Sequence, residues 1–198
     1  MPLYKVVLYE LQTTGNGIRR ESGSDPQKII KKGKRRFAFR VVRMSISAEG
    51  SIKRTVAVRL TPGEDLFRGI EAVCEKYGVR SGTILGGIGS FTQARVCDIV
   101  LDPGSKTGYG YGAPLEENEP IELFAISGSI CRDEDDKVSV HAHCAFSRKD
   151  GSTVGGHLVE GCRVFITAEI YIAEFEGFSI ERKLDNELGF MIAAPVQK

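Results

Sequence analysis

The chain has 198 residues, of which 41% are hydrophobic and 27% charged, and its net charge is +1. These values are ordinary for a globular protein, and no apolar run approaches the roughly 20 residues of a membrane span. The five cysteines lie in apolar segments without a Cys-x-x-Cys pair. Together with an N-terminus too interrupted for a secretory signal, they predict a cytoplasmic protein with reduced, buried thiols.

The charge is unevenly distributed along the chain. Residues 1–54 carry 13 Lys and Arg against 4 Asp and Glu, about +9, and the remainder carries about −8. We therefore expect a basic N-terminal extension over 1–54 and a second domain over 55–198. The densest basic run, 31–36, could contact phosphates, or could be a solvated loop that pairs with the acidic remainder.

Three strands are predicted in the first 60 residues. Residues 3 to 11 read as a strand, and alternation of apolar residues indicates two more over 37–42 and 55–60. Residues 14 to 35, rich in Gly, Ser and charge, are predicted to be a connection between the first two.

One clear helix follows. The segment Thr61-Pro62-Gly63-Glu64 matches a capping box, with Pro at the first helical position. An apolar stripe at helical spacing then points to a core-facing helix that ends at Gly78. Its members are Leu66, Ile70, Val73, Cys74 and Tyr77.

The second half of the chain reads mainly as strands. Residues 82–101 contain Gly86-Gly87-Ile88-Gly89-Ser90, which lacks the Lys and the following helix of a phosphate loop and so indicates a bulge or a close backbone contact. A loop is predicted over 102–120, and strands over 121–131 and 162–175. Many strands and one helix predict an α+β fold with a mixed, largely antiparallel sheet packed with few helices.

All the histidines of the chain lie close together in sequence. Residues 137–147 alternate apolar and polar side chains, so His141 and His143 are expected to project from the same face of a strand. Cys144 falls on the opposite face and is predicted to be a core residue. His157 follows Gly155 and Gly156, and we expect a loop to fold back and place it over the pair.

Three neutral imidazoles are typical of an open metal site with a free fourth position. The sequence therefore predicts a divalent metal, zinc in the first instance, on His141, His143 and His157. Imidazole equally suits nickel, cobalt and iron. A cupin-like site is disfavoured because cupins add a Glu shortly after the His-x-His pair, and residues 144 to 149 contain none.

Several segments occur in the order of one known family. They include Arg59-Leu60-Thr61-Pro62-Gly63, the glycine segment from Gly86, Ser127-Gly128-Ser129, His141-Ala142-His143 and Gly155-Gly156-His157. With them the region from about 55 to 191 resembles the plant-and-prokaryote conserved domain, also called PPC or DUF296. Residues 1–50 are not explained by this resemblance.

The resemblance implies a mixed sheet packed with helices, assembled as a homotrimer, and a metal site on the three histidines. The plant members of the family bind A·T-rich DNA through an AT-hook centred on Arg-Gly-Arg-Pro. This chain has Lys32-Gly33-Lys34-Arg35 instead, so a minor-groove contact through such a hook is not supported.

Two functions of different classes remain open. One is a metal-dependent enzyme acting on a small metabolite, in which the metal activates a water or polarises a carbonyl. Glu122 and Glu169 are then the candidate acid or base, Glu122 alternatively orienting a ligand histidine, and Arg59 is the candidate for holding an anionic substrate. The other is an assembly module that contacts nucleic acid or protein through its basic N-terminal region.

Overall fold

The computed structural model describes the backbone of residues 4–11, 28–32, 35–43 and 45–198, and the side chains of residues 45–198. The chain divides into two compact units, Met1–Ser47 and Ala48–Lys198. The expected division into a basic extension over 1–54 and a metal-binding domain over 55–198 remains a prediction, and a strand of the second unit, Ser51–Leu60, runs through that boundary.

The first unit contains a three-stranded antiparallel sheet in the order β1-β3-β2, formed by β1 (Tyr4–Leu11), β2 (Lys28–Lys32) and β3 (Arg35–Arg43). β1 and β3 confirm the strands predicted over 3–11 and 37–42. The connection predicted over 14–35 is wrong at β2, because pairing with β3 overrides the local preference of a charged segment. The side chains of the basic run 31–36 lie outside the described residues.

The second unit is a sheet with one helix among its described residues. Nine strands pair in the order β14-β13-β9-β10-β11-β5-β12-β4, with β8 beside β5, while β6 and β7 form a separate pair. The elements are β4 (Ser51–Leu60), α1 (Leu66–Lys76), β5 (Gly82–Cys97), β6 (Ile99–Leu101), β7 (Tyr109–Tyr111), β8 (Leu115–Glu117), β9 (Ile121–Arg132), β10 (Val138–Ser147), β11 (Thr153–Leu158), β12 (Arg163–Glu176), β13 (Phe178–Asp185) and β14 (Phe190–Gln197).

This architecture confirms the predicted α+β class. β13 runs parallel to β9, and the other pairs are antiparallel, so the sheet is mixed and largely antiparallel. The loop predicted over 102–120 contains the short strands β7 and β8. The helix is 11 residues long, and no helix in the described part of the chain could cross a bilayer.

The length of β5 closes part of the sheet on itself. β5 has 16 residues and pairs with both β9 and β11, so β9, β10, β11 and β5 form a closed circuit. Phe91 of β5 and Phe146 of β10 are fully buried and meet edge to face, with ring centroids 5.5 Å apart. α1 packs against β4, β10 and β12 and buries Leu66, Ile70 and Cys74.

The helix begins later than its sequence suggested. The hydroxyl and backbone N–H of Thr61 do donate to the Glu64 carboxylate, at 2.8 and 2.6 Å, but Gly63 between them has a φ of 85°. These residues therefore form a turn, and the helix is capped by Asp65, whose carboxylate accepts from the backbone N–H of Arg68. The predicted end is confirmed: Gly78, at a φ of 62°, completes a Schellman motif.

The glycine segment of β5 is a site of close backbone approach, as its sequence predicted. A Cβ at Gly87 would lie 2.7 Å from the carbonyl oxygen of Glu169, and one at Gly89 would lie 2.5 Å from that of Thr167. The register of β5 against β12 also shifts beside Gly86, which marks a bulge.

Replacing Ile170 by Ala tests the core between α1 and β12. Ile170 has no exposed surface, so the cavity should lower the free energy of unfolding by about 2–5 kcal/mol. Ile99→Ala is the matched control, since that side chain is 61% exposed and its loss should cost about 0.5 kcal/mol or less. Urea unfolding of both variants measures the difference, and equal losses would contradict this description of the core.

Candidate metal centre

The strand β10 separates its two sets of side chains as predicted. Val140, Ala142, Cys144 and Phe146 are buried on the core side, whereas His141 and His143 project from the other face, half-buried and exposed respectively. Burial strongly raises the pKa of the Cys144 thiol, which is typical of a core cysteine. All five cysteines are buried and unpaired.

His157 is presented by a strand, which corrects the expectation of a folded-back loop. It lies on β11, where it is the direct cross-strand partner of His143. The turn between β10 and β11 is closed by hydrogen bonds between Arg148 and the residues Gly151 and Ser152, and Gly151 has a φ of 81°. Gly155 and Gly156 continue β11 with no side chain to crowd the neighbouring strands, so pairing of the short segment is possible.

The three imidazoles form a nearly equilateral cluster. Their ring centroids are separated by 5.4 Å (His141–His143), 5.0 Å (His141–His157) and 5.3 Å (His143–His157). One nitrogen from each ring lies within 4.8 Å of the others. Nitrogens bound to one zinc ion lie about 3.3 Å apart, so the ring nitrogens would have to approach by at most about 1.5 Å to share an ion.

The surroundings of the cluster favour neutral imidazoles. Burial, followed by the charges of His141, His143 and Arg182, lowers the pKa of His157 to about 4. Burial and the charge of Arg182 also lower the pKa of His141. Since the neutral ring is the form that binds a metal, these two side chains are ready to do so at neutral pH.

His141 also has a nitrogen without a protein partner. Its Nε2 is buried and has no hydrogen-bond partner within the described part of the chain. A buried ring nitrogen without a hydrogen-bond partner lowers the stability of the folded chain, and coordination to a bound ion would remove that loss. This orphaned atom, and the presence of nitrogen donors alone, fit a borderline metal such as zinc.

Two further side chains border the cluster, and sequence reasoning missed both. The Tyr111 ring lies 4.7 Å from the His157 ring, with its hydroxyl oxygen 3.5 Å from Nδ1. Arg182, on β13, acts electrostatically on His141 and His157. Tyr111 stands in a segment that was predicted to be a loop. Arg182 stands in a strand that is half-exposed on both faces, so its segment has no clear alternation of apolar and polar residues.

The structure does not bring the other predicted site residues to the histidines. Glu122 is opposite Ser147, four residues from His143 along β10, and thus about 13 Å away. At that distance it cannot hydrogen-bond to a ligand ring, so the predicted orienting role is wrong within one chain.

Glu169 and Arg59 are cross-strand partners on β12 and β4. His157 is opposite Cys97 on β5, whereas Glu169 is opposite Ile88 on the same strand, nine residues and about 30 Å away along it. β4 lies one strand further still. The expectation that these residues complete the histidine site is therefore corrected by the sheet order.

Comparison with known families supports the relationship that the motifs suggested. Residues 47–176 match the family model described as the Plants and Prokaryotes Conserved (PCC) domain. A curated relative, the Bifunctional protein GlmU of Synechococcus sp. strain JA-3-3Ab, is 31% identical over 165 residues. That match covers 82% of this chain and 24% of GlmU, so the chain spans about a quarter of the length of this relative.

Two solved structures share the fold over nearly their whole length. A metal-containing protein from Archaeoglobus fulgidus is 29% identical, with a TM-score of 0.62, and covers 74% of this chain and 96% of its own length. A plant- and prokaryote-conserved protein from Pyrococcus horikoshii is 30% identical, with a TM-score of 0.61 and the same coverage of 74% and 96%.

The stability of the metal-free protein should depend on pH through His157. Its pKa is about 4 in the folded chain and about 6.5 when unfolded, so the unfolded chain takes up this proton first as the pH falls. The resulting stability is present above pH 6.5 and is lost as the pH falls towards 4. Urea unfolding at pH 7 and pH 4.5 should show a smaller acid loss for His157→Asn than for the wild type; equal losses would contradict the low pKa.

Proposed function

This chain belongs to the Plants and Prokaryotes Conserved domain family, and from that premise we propose that it binds one divalent metal ion, zinc, on His141, His143 and His157. The observation that carries the proposal is the arrangement of three ring nitrogens within 4.8 Å of one another on paired strands. The unpartnered Nε2 of His141 and the metal-containing relative from Archaeoglobus fulgidus support it.

We further propose that the site is a reaction centre for a small metabolite. A divalent ion held there would supply Lewis acidity. The three histidines hold the ion, and Tyr111 packs on the His157 ring and restricts its orientation. His143 is exposed, so the cluster is reachable from solvent. Glu122, Glu169 and Arg59 of the same chain are too distant to take part.

A homotrimer is the proposed assembly. The face of β5 and β12 that looks away from α1 carries exposed apolar side chains, among them Leu85, Ile88, Phe165 and Tyr171. Between these strands lies a shallow depression of about 460 Å³ with a largely apolar lining. An exposed apolar surface of this kind is typical of a contact between subunits.

Elemental analysis of protein purified without a His-tag or chelator tests the metal site. We expect about one metal per chain in the wild type, and none in the His141→Ala/His143→Ala double variant, because only one imidazole of the three would remain. Tyr111→Phe is the control, since it keeps all three rings and should retain the metal. Metal-free wild type after reconstitution with zinc would contradict the proposal.

The second candidate function is an assembly module that binds nucleic acid, favoured by the charge of about +9 on residues 1–54. In that case duplex DNA binding should weaken steeply with salt and be lost when the Lys and Arg of 31–36 are neutralised, whereas His141→Ala should bind normally. Fluorescence anisotropy measures the binding. Absence of salt-dependent DNA binding by the wild type would count against this candidate.

Light scattering tests the proposed homotrimer and should give about three times the 21.7 kDa chain mass.

A further inference from the structure

Arg182 is placed beside the histidine cluster. It lies on β13, next to the single pairing of Glu181 with Arg132 on β9. Its Nη1 donates to the hydroxyl of Ser139 at 3.3 Å. Ser139 is half-buried on the face of β10 that carries His141, two residues and about 6.6 Å away. The guanidinium therefore extends across the sheet to the edge of the proposed metal site.

The guanidinium has donors to spare. Its Nε is buried and has no hydrogen-bond partner among residues 45–198. The neighbouring carboxylate of Glu181 is already paired with Lys183, at 2.7 Å. Arg182 is half-buried, and no carboxylate pairs with it in the described part of the chain.

The proposed ligands themselves carry no negative charge. The charges that lower the pKa of His157 are those of the other two histidines and Arg182, while the carboxylate of Asp98 lies beside Gly156, the residue before His157. Three neutral imidazoles would leave both positive charges of a divalent ion unbalanced, and the guanidinium of Arg182 adds a third positive charge. A half-buried site of this composition attracts an anion, because charge is screened less there than in water.

We propose that Arg182 binds the carboxylate of a small anionic ligand held at the cluster of His141, His143 and His157. Because Nη1 donates to Ser139, the edge of the guanidinium formed by Nε and Nη2 remains for the ligand. Two parallel N–H groups on one planar edge match the two oxygens of a carboxylate.

This inference rests on the proposed function, since it names the class of ligand taken by that site. It concerns a residue outside the matched family region, which ends at 176. Arg59, the anion-holding candidate from the sequence, lies several strands away; Arg182 takes that role instead.

The test compares two four-carbon acids, succinate and butyrate, on protein loaded with Co²⁺. Visible absorption of the cobalt reports binding, at constant ionic strength. The wild type should bind succinate about tenfold more tightly than butyrate, since only succinate has a second carboxylate for Arg182. Arg182→Met should abolish this preference. Lys183→Met is the matched control, because it removes an equal charge from the next residue, whose side chain is 76% exposed, and should keep the preference.

Metal content separates the two proposals. If the wild type and Arg182→Met hold the same amount of cobalt and show the same preference for succinate over butyrate, the role of Arg182 is overturned while the metal site stands. If the wild type holds no cobalt, both fail together. Should Arg182→Met not fold, Arg182→Lys replaces it: that variant keeps the charge without the two-donor edge, so its succinate affinity should fall by about threefold or more, and an unchanged affinity would overturn the inference.

Discussion

The register of the hairpin formed by β10 and β11 is the constraint on which the site depends. Antiparallel pairing sets His157 directly opposite His143, with His141 two residues along the same face. A slip of one residue would turn His157 towards the core and remove it from the cluster. The turn that fixes this register is held by Arg148, whose Nε also donates to Glu117 of β8 at 3.1 Å.

The other face of the same strand keeps the histidines outward. Val140, Ala142, Cys144 and Phe146 fill the core beneath β10, where Phe146 meets Phe91 of β5. Because burial of these side chains favours one orientation of the strand, the polar set is held on the opposite face. The stability of the core and the geometry of the site are thus two consequences of one alternating sequence.

The charge around the cluster gives the site its chemical character. Burial and the nearness of Arg182 favour the neutral form of His141 and His157, which suits these rings to bind a cation. In the proposed site, neutral ligands around a divalent ion with a guanidinium beside them would select negatively charged ligands. The positive charge of Arg182 therefore has two effects. It favours the neutral form of the imidazole rings, and it favours a negatively charged ligand beside them.

The sequence alone determined the features that depend on neighbours along the chain. Alternation over 137–147 predicted the two faces of β10 and placed His141 and His143 on the same face. The apolar stripe predicted α1 with its end at Gly78. The pattern of many strands and one helix gave the α+β class, and local motifs in family order gave the family. These signals could be read because side-chain direction in a strand or helix follows from the backbone period.

Only the tertiary structure decided which strands lie side by side. It moved His157 from a loop to β11, placed Arg182 and Tyr111 at the cluster, and set Glu122, Glu169 and Arg59 apart from it. Each of these outcomes depends on pairings between segments distant in sequence, such as β13 with β9. Strand order and register result from the closure of the whole sheet, and no local pattern of residues contains that information.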